Sequence, residues 1–301
     1  MKRRLFLSAG CLLLSFLLTG CDMLKTDTGS KKEKFYVFLC FGQSNMEGFP
    51  GTIQEQDKTV DSRFQVLAAV DFPNLNRTKG KWYDAVPPLC RADSGLCPAD
   101  YFGRTMVANL PENIRVGVIN VSVAGCKIEL FMKDSFQTIS STAAPWLQNI
   151  IKIYSGNPYQ HLVDMAKIAQ ADGGIIKGIL LHQGESNTND REWPNKVKSI
   201  YDNLINDLNL KAEEVPLLAG EVVNADQRGT CAGVNNIIAK LPETLPNSYV
   251  ISSAGCTSAE RLHFNSAGYR ELGKRYGEKM LSLMGYKIAE TKPAAQSAAQ
   301  P

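Results

Sequence analysis

A serine stands where an apolar run of the chain gives way to small and amide residues. The run covers residues 35–41, and Gly42, Gln43, Ser44 and Asn45 follow it in the stretch CFGQSNMEGFPG. Gly, Ser and Asn are common in tight turns for conformational reasons alone. A turn at the end of a buried strand can also lift a serine above the sheet edge as a nucleophile. Ser44 is therefore either a turn residue or a nucleophile, and the rest of the chain must decide between them.

A base is the next requirement, because a serine hydroxyl is a weak nucleophile until a neighbouring group takes its proton. The chain contains only three histidines, His161, His182 and His263. His161 lies in a helical pattern, and His182 stands at the end of an apolar run. His263 lies in the polar segment SAERLHFNSAGYRELG, just before a helical pattern. A histidine in such a loop can swing over a sheet edge, so His263 is the expected base.

Alternating strand and helix patterns predict the elements that position these side chains. Apolar runs bounded by turn signals predict strands at 35–41, 114–121, 175–181, 217–220 and 249–252. Helical patterns lie between them at 101–110, 160–170, 195–208, 234–241 and 266–283. This alternation indicates βαβ units and a parallel sheet that is covered on both faces.

The ends of the first three predicted strands bring the candidate groups together. The first strand ends in GQSN, the second in NVSVAGCKIE and the third in LHQGESN. The carboxyl ends of parallel strands share one edge of the sheet, and ligands bind at that edge. We therefore expect Ser44, the turn at Ala124 and Gly125, and Gln183 to converge. The segment 52–98 has no clear pattern and is expected to form walls of the site.

Together with the ending LHFxxxGYRELG, these motifs resemble the SGNH-hydrolase superfamily. They are most similar to the sialate O-acetylesterase and acetylxylan esterase group, carbohydrate esterase family six and its relatives. The resemblance extends from Phe35 to the last helical pattern. It implies a flavodoxin-like α/β fold, a three-layer α/β/α sandwich with a central parallel sheet. It also implies removal of O-acetyl groups from sugars without a metal or any other cofactor.

The resemblance implies a role for each matching residue. Ser44 is the nucleophile and His263 the base. The backbone N–H groups of Ser44 and Gly125 hold the oxyanion, together with the side-chain amide of Gln183. Each preorganised donor of this kind contributes roughly 3–4 kcal/mol to the stabilisation of the transition state.

The residue that orients the histidine is left open by the sequence. The family usually has Asp three residues before the histidine, but this chain has Glu260, whose side chain is longer by one CH2 group. Glu185, in HQGES, is the second candidate, although it can instead hold loops together by accepting backbone N–H bonds. A serine–histidine pair without a carboxylate is the third alternative, because triads are recognised by geometry and not by sequence position.

Three further side chains are candidates for contact with a substrate. Trp193 follows the third motif, and its ring can either stack on a sugar or pack in the core. Trp82 is a weaker candidate of the same kind. Arg91 can contact the carboxylate of a uronic or sialic acid, but we favour an ordinary surface ion pair for it.

The N-terminus indicates export. Residues 1–20 have a basic start and an apolar core, as in a signal peptide, and the apolar run is short for a membrane-spanning helix. The sequence LTGC resembles a bacterial lipobox, which would leave a lipidated Cys21 as the first mature residue. Acyl chains on Cys21 would anchor the protein by burying CH2 groups at roughly 0.8 kcal/mol each. We expect a membrane-anchored bacterial lipoprotein in the periplasm or at the cell surface.

The remaining segments divide the chain simply. Residues 21–33 are polar and predict a tether, residues 34–287 form the esterase domain, and residues 288–301 predict a disordered tail. The first 20 residues carry three basic and no acidic side chains, which leaves 30 basic and 30 acidic residues in the mature chain. This balance gives no reason to expect nucleic acid as a partner, since nucleic-acid binding calls for a basic patch.

The cysteine spacing does not predict a zinc site, because the chain has no CxxC or HxxxH pattern. Cys90 and Cys97 bracket a short loop, and a disulfide between them would stabilise the fold by roughly 2–3 kcal/mol. Cys40 lies in the first apolar run and is expected to be a buried thiol.

The expected function is that of an exported serine esterase that removes O-acetyl groups from carbohydrates, of the acetylated xylan or sialic acid type, through a Ser-His-acid triad and an acyl-enzyme. A lipase-like SGNH esterase at the membrane is the first alternative, although the segment 52–98 has no long apolar stretch. A non-catalytic carbohydrate-binding relative is the second alternative, which the change from Asp to Glu260 keeps open. The sequence names neither the sugar nor the oligomeric state.

Overall fold

The computed structural model describes residues 33–288 of the 301-residue chain. The predicted signal peptide, the lipidation site Cys21, residues 21–32 of the predicted tether and residues 289–301 of the predicted tail lie outside the described residues. No helix within the described range is long and apolar enough to cross a membrane.

A seven-stranded sheet forms the centre of the fold. Its strands are β1 (Lys34–Gly42), β2 (Phe64–Leu67), β3 (Trp82–Asp84), β4 (Ile114–Ser122), β5 (Ile175–His182), β6 (Leu217–Gly220) and β7 (Ser248–Ile251). They are arranged in the order β3-β2-β4-β1-β5-β6-β7, and every pair is parallel except β2 with β3. The five predicted strands are confirmed, and β1 lies between β4 and β5 as the site requires.

Helices cover both faces of this sheet. They are α1 (Ser44–Glu47), α2 (Pro98–Asn109), α3 (Phe136–Thr142), α4 (Pro145–Ile153), α5 (Pro158–Ala171), α6 (Trp193–Asp207), α7 (Asn235–Ile238), α8 (Leu241–Thr244) and α9 (Ser266–Leu283). The predicted helix at 234–241 is interrupted between α7 and α8. Pro242 lies at the start of α8. It interrupts a continuous helix because proline has no backbone N–H to donate to the carbonyl four residues earlier, which is that of Ile238.

The segment 52–98 is more ordered than the sequence predicts. It contains β2 and β3, which extend one edge of the sheet, and β3 runs antiparallel to β2. Strands of four and three residues are too short to give a periodic signal, which explains why sequence reasoning missed them.

Two hydrophobic cores lie on opposite faces of the sheet, because side chains alternate along each strand. From β1, Val37 and Leu39 pack with residues of α5 and α6, whereas Phe38 and Cys40 pack with residues of α2 and α9. This arrangement confirms the three-layer α/β/α sandwich.

The described cysteines are all free and buried. Cys90 and Cys97 therefore do not form the disulfide that their spacing suggested, and Sγ of Cys90 lies 3.3 Å from the hydroxyl of Tyr154 instead. Cys40 is the buried thiol that its position in β1 predicted, and burial raises its pKa.

Gly273→Ala tests the close packing of α2 against α9. An added Cβ at this position would lie 2.4 Å from the carbonyl oxygen of Pro98 and 2.9 Å from Cβ of Tyr101. We expect the free energy of unfolding to fall by roughly 1–3 kcal/mol, even though alanine favours a helix over glycine by about 1 kcal/mol. Urea unfolding measures the change.

Gly233→Ala is the matched control, because nothing lies within 4 Å of a Cβ added there. A midpoint of unfolding for Gly273→Ala equal to that of Gly233→Ala would contradict the close contact between the helices.

Candidate active site

The close approach of two strands brings Ser44 to the sheet edge. Gly42 ends β1 and pairs with His182 at the end of β5, and a Cβ on Gly42 would lie 2.1 Å from the His182 carbonyl oxygen. Only glycine fits this position. The backbone N–H of Gln43 then donates to the same carbonyl at 3.1 Å, and Ser44 follows as the first residue of α1.

Ser44, His263 and Glu260 form a continuous hydrogen-bonded chain. Oγ of Ser44 lies 2.8 Å from Nε2 of His263. The other ring nitrogen, Nδ1, makes a short hydrogen bond with Oε1 of Glu260. The longer glutamate side chain therefore does reach the imidazole. A hydroxyl with an adjacent imidazole, and an imidazole with an adjacent carboxylate, form the arrangement that activates a serine.

Glu185 lines the cavity that contains Ser44 and His263, but its carboxylate has a different partner. Its Oε1 accepts a hydrogen bond from Nδ2 of Asn45 at 2.5 Å. Burial raises the pKa of the Glu185 carboxyl, while the hydrogen bond from Asn45 and the nearby imidazole of His263 act in the opposite direction. Of the two candidate acids, Glu260 is the one in contact with the histidine ring. Glu185 instead binds the side chain of Asn45, which is adjacent to Ser44.

Asn45, next to Ser44, connects α1 to the segment around His263. Besides its bond to Glu185, its Nδ2 donates to the carbonyl oxygen of Leu262 at 3.0 Å. Its Oδ1 accepts from the backbone N–H of Phe264 at 3.2 Å and from the hydroxyl of Tyr269 at 2.8 Å. His263 is therefore held on both sides by one side chain that is adjacent to the serine.

The turn after β4 supplies backbone donors beside the serine. Gly125 has a positive φ of 67°, a conformation that glycine adopts without strain, and it lines the same cavity as Ser44. Within residues 33–288, the backbone N–H groups of Ser44 and Gly125 have no hydrogen-bond acceptor. This geometry is compatible with the oxyanion role predicted for both groups, which stays a prediction.

A buried ion pair supports that turn. Oε1 of Glu47 accepts from Nη2 of Arg91 at 2.5 Å, and Oε2 of Glu47 accepts from the backbone N–H of Ala124 at 2.8 Å. Arg91 also donates to the carbonyl oxygen of Ser122 at 3.1 Å. The favoured interpretation of Arg91 as a surface ion pair is wrong, because its side chain is only 4% exposed.

Gln183 and Trp193 are buried and do not line the cavity that contains Ser44. Nε2 of Gln183 contacts Oδ1 of Asn187 at 2.7 Å and Oε1 of Gln43 at 3.1 Å, and Nε1 of Trp193 donates to Oε1 of Gln183 at 2.5 Å. Both side chains are fully buried, and neither lines the cavity.

Two predictions about these residues therefore need correction. The amide of Gln183 is not an oxyanion donor in this structure, because its N–H groups already have acceptors. Trp193 is not a platform for a sugar ring, because its own ring is part of the core. Trp82 does not line the cavity either, and its Nε1 donates to Oδ2 of Asp172 at 3.0 Å.

A cavity of about 550 Å³ opens at Ser44. Its walls are mainly apolar, and Phe49, Ala124, Cys231 and Leu262 contribute to them beside the residues already described. This volume is in the range of small-molecule sites. Among the described residues, no group of three or more His, Cys, Asp and Glu side chains is arranged to hold a metal ion.

Residues 34–282 match the family model for carbohydrate esterases that are described as sialic acid-specific acetylesterases. The chain belongs to this esterase family. Membership confirms the resemblance seen in the sequence motifs, and it places the protein among the carbohydrate O-acetylesterases.

Solved structures share the fold of this carbohydrate esterase. A protein from Arabidopsis thaliana is 20% identical with a TM-score of 0.63, and the match covers 83% of this chain and 98% of that chain. A carbohydrate acetylesterase from Xanthomonas citri is 18% identical with a TM-score of 0.59, and the match covers 82% of this chain and 56% of that chain. NanS is 16% identical with a TM-score of 0.60, and the match covers 84% of this chain and 98% of that chain.

Sequence reasoning missed the residues that hold the loops of the esterase together. Asn45 and Glu47 belong to the motif GQSNMEG, so their position beside Ser44 was a signal for a supporting role. Arg91 gave no such signal, because its partner Glu47 is 44 positions away in the chain. Only the fold shows that this arginine is buried.

Arg91→Met should strongly destabilise the esterase, because it leaves the Glu47 carboxylate buried without its cation. Removal of one partner from a buried ion pair costs roughly 3–5 kcal/mol. We expect the double variant Glu47→Gln/Arg91→Met to be clearly more stable than the sum of the two single changes predicts. Urea unfolding of the four proteins measures this coupling.

The exposed ion pair between Lys58 and Glu55 provides the control. Lys58→Ala should change the free energy of unfolding by less than about 1 kcal/mol, since surface pairs contribute little. Strict additivity of the Glu47 and Arg91 changes would contradict the coupled arrangement.

Proposed function

We propose that this esterase is an exported, lipid-anchored serine hydrolase that removes O-acetyl groups from carbohydrate. Ser44 is the nucleophile, His263 is the general base and then the general acid, and Glu260 orients the imidazole. The observation that carries the proposal is the hydrogen-bonded chain from Oγ of Ser44 through His263 to Glu260, with 2.8 Å between Oγ and Nε2.

The first half of the reaction acylates the serine. Nε2 of His263 takes the proton of the Ser44 hydroxyl as Oγ attacks the carbonyl carbon of the acetyl ester. The resulting oxyanion accepts hydrogen bonds from the backbone N–H groups of Ser44 and Gly125. Collapse of the tetrahedral intermediate breaks the bond to the sugar oxygen, and the imidazolium returns the proton to that oxygen. The sugar leaves with a free hydroxyl, and the acetyl group remains on Ser44.

The second half repeats the same steps with water. His263 takes a proton from water, which attacks the acetyl-serine, and the imidazolium then protonates Oγ as acetate leaves. Glu260 contacts Nδ1, so it fixes the tautomer in which Nε2 can accept the serine proton, and it stabilises the imidazolium. No step requires a metal ion.

Export and anchoring rest on the N-terminal sequence. The basic start, the apolar core and the LTGC motif support a lipoprotein signal with Cys21 as the modified residue. A lipid-anchored esterase would meet acetylated glycans outside the cytoplasm, either in the periplasm or at the cell surface.

Ser44→Ala, Glu260→Gln and Glu185→Gln together test the proposed mechanism. Ser44→Ala should remove nearly all acetate release, because losses of triad members cost roughly 10⁴–10⁶ in rate. Glu260→Gln should lower kcat by roughly 10²–10⁴, and Glu260→Asp should keep much more activity because it restores the usual family residue. Glu185→Gln should have a much smaller effect, because a glutamine oxygen can still accept the hydrogen bond from Asn45.

Thermal unfolding of each variant is the control, so that only a rate loss without a comparable stability loss is counted. More than a tenth of wild-type turnover in Ser44→Ala, or a larger kcat loss in Glu185→Gln than in Glu260→Gln, would contradict the assignment. A series of esters with increasing acyl length separates the acetylesterase from a lipase-like enzyme, which would prefer the longer chains. No turnover of any acetyl ester by the wild type would favour a non-catalytic carbohydrate-binding relative.

Cys21→Ser tests the lipid anchor. If Cys21 carries acyl chains, the wild-type protein expressed in a bacterial host should enter the detergent phase of a Triton X-114 separation, and Cys21→Ser should stay in the aqueous phase. The variant Cys11→Ser, which changes a cysteine inside the predicted signal peptide, is the control and should behave as the wild type does. Wild-type protein in the aqueous phase would exclude the anchor.

A further inference from the structure

Two aromatic side chains that lie against residues of the candidate active site are largely exposed. Phe49 and Trp146 are each 54% exposed, whereas most of the other large aromatic residues are buried in the two cores. An exposed apolar surface beside a cavity is a feature of ligand-binding grooves. Neither residue has a role in the reaction steps given above.

Phe49 contacts the histidine of the site. Its ring centroid lies 5.1 Å from that of His263, with the two rings edge to face, and its side chain lines the cavity. The backbone of Phe49 is fixed at both ends, because its N–H donates to the carbonyl oxygen of Ser44 at 3.0 Å and its carbonyl oxygen accepts from the Tyr269 hydroxyl at 2.5 Å. The exposed ring is therefore attached to a backbone position that two hydrogen bonds hold in place.

Trp146 contacts the glycine turn. A Cβ added to Gly125 would lie 2.7 Å from Cη2 of the indole, so the glycine is what allows the indole to lie directly against the turn. Trp146 is the second residue of α4, and the buried side chains of Leu147 and Ile151 fix that helix to the core. The indole is thus held beside the turn while much of its surface faces solvent.

The two rings touch different members of the proposed machinery, His263 and Gly125, which both line the cavity with Ser44. An acetyl group alone does not need a cavity of about 550 Å³, so the remaining space is available for the alcohol part of the ester. The carbon-bound hydrogens of a pyranose ring form an apolar face, which an aromatic ring can cover while the sugar hydroxyls stay in water.

We propose that Phe49 and Trp146 bind the pyranose ring that carries the acetyl ester and so select sugar esters over simple esters. This inference rests on the proposed function, because it assumes that Ser44 attacks the ester. Trp193, the substrate contact predicted from the sequence, is buried in the core, whereas Phe49 and Trp146 are exposed to solvent.

Steady-state kinetics on matched substrates test the inference. The substrates are methyl 6-O-acetyl-glucopyranoside, ethyl acetate and ethyl octanoate, and the readout is acid release in a pH-stat. Trp146→Ala and Phe49→Ala should each lower kcat/KM for the sugar ester by about tenfold, the size of one lost aromatic contact. For ethyl acetate the change should stay within about twofold, because that substrate has no ring to cover. Trp146→Phe should restore much of the lost kcat/KM.

Ile153→Ala is the matched control. Like Trp146, Ile153 is an exposed apolar residue of α4 that is not among the cavity-lining residues, but only Trp146 supplies the atoms nearest to a Cβ added to Gly125. It should leave all three substrates unaffected. An equal loss on the sugar ester and on ethyl acetate would show that the rings only support His263 and the turn, and would overturn the inference. A loss confined to ethyl octanoate would assign the rings to a long acyl chain and would overturn it as well.

Calorimetric titration separates this inference from the proposed function. The Ser44→Ala protein should bind methyl 6-O-acetyl-glucopyranoside about tenfold more tightly than Ser44→Ala/Trp146→Ala does. Substantial turnover by Ser44→Ala would overturn the proposed mechanism, and the two affinities would then be compared with methyl glucopyranoside, which carries no ester to hydrolyse. Equal affinity of the two proteins, or no detectable binding by either, would overturn the sugar-binding role even if Ser44 is the nucleophile.

Discussion

The geometry of the site depends on the hydrogen bonds of one amide side chain, that of Asn45. The serine and the histidine are 219 positions apart in the chain, and they follow different strands. Ser44 begins α1 after β1, whereas His263 lies between β7 and α9. Asn45 accepts from the backbone of Phe264 and donates to the backbone of Leu262, so it grips the chain on both sides of His263. A hydrogen bond of 2.8 Å between serine and imidazole requires this kind of fixed support, because small displacements of reacting groups are costly.

A second support holds the third loop of the site. Glu47 stands three positions after Ser44 and binds the backbone N–H of Ala124, next to the turn that offers the Gly125 N–H group. Its pairing with Arg91 gives the buried carboxylate a partner, and an unpaired charge in such a place would be very costly. The motif GQSNMEG thus supplies the proposed nucleophile, Ser44, and the two side chains, Asn45 and Glu47, that bind the neighbouring segments.

Solvent exposure distinguishes the side chains that a substrate can contact from the buried side chains that hold the site in place. Gln183 and Trp193 follow the end of β5 closely, yet both are fully buried and bind one another. Phe49 lines the cavity, Trp146 lies against the Gly125 turn, and both are exposed, although no sequence motif singled out either of them. The same apolar chemistry that stabilises a core can bind a ligand, and only the solvent exposure of each ring tells these uses apart.

The sequence by itself determined five of the seven strands, the helices α2, α5, α6 and α9, and the motifs that carry Ser44 and His263, because these depend on local periodicity and on residues that are adjacent in the chain. It also predicted correctly that strand ends converge, since parallel strands place their carboxyl ends at one edge. Only the tertiary structure decided that Glu260 and not Glu185 contacts the imidazole, that Arg91 is buried against Glu47, and that Gln183 is buried and does not line the cavity. These outcomes depend on side-chain reach and burial between distant segments, and neither quantity is encoded in the spacing of residues along one stretch of chain.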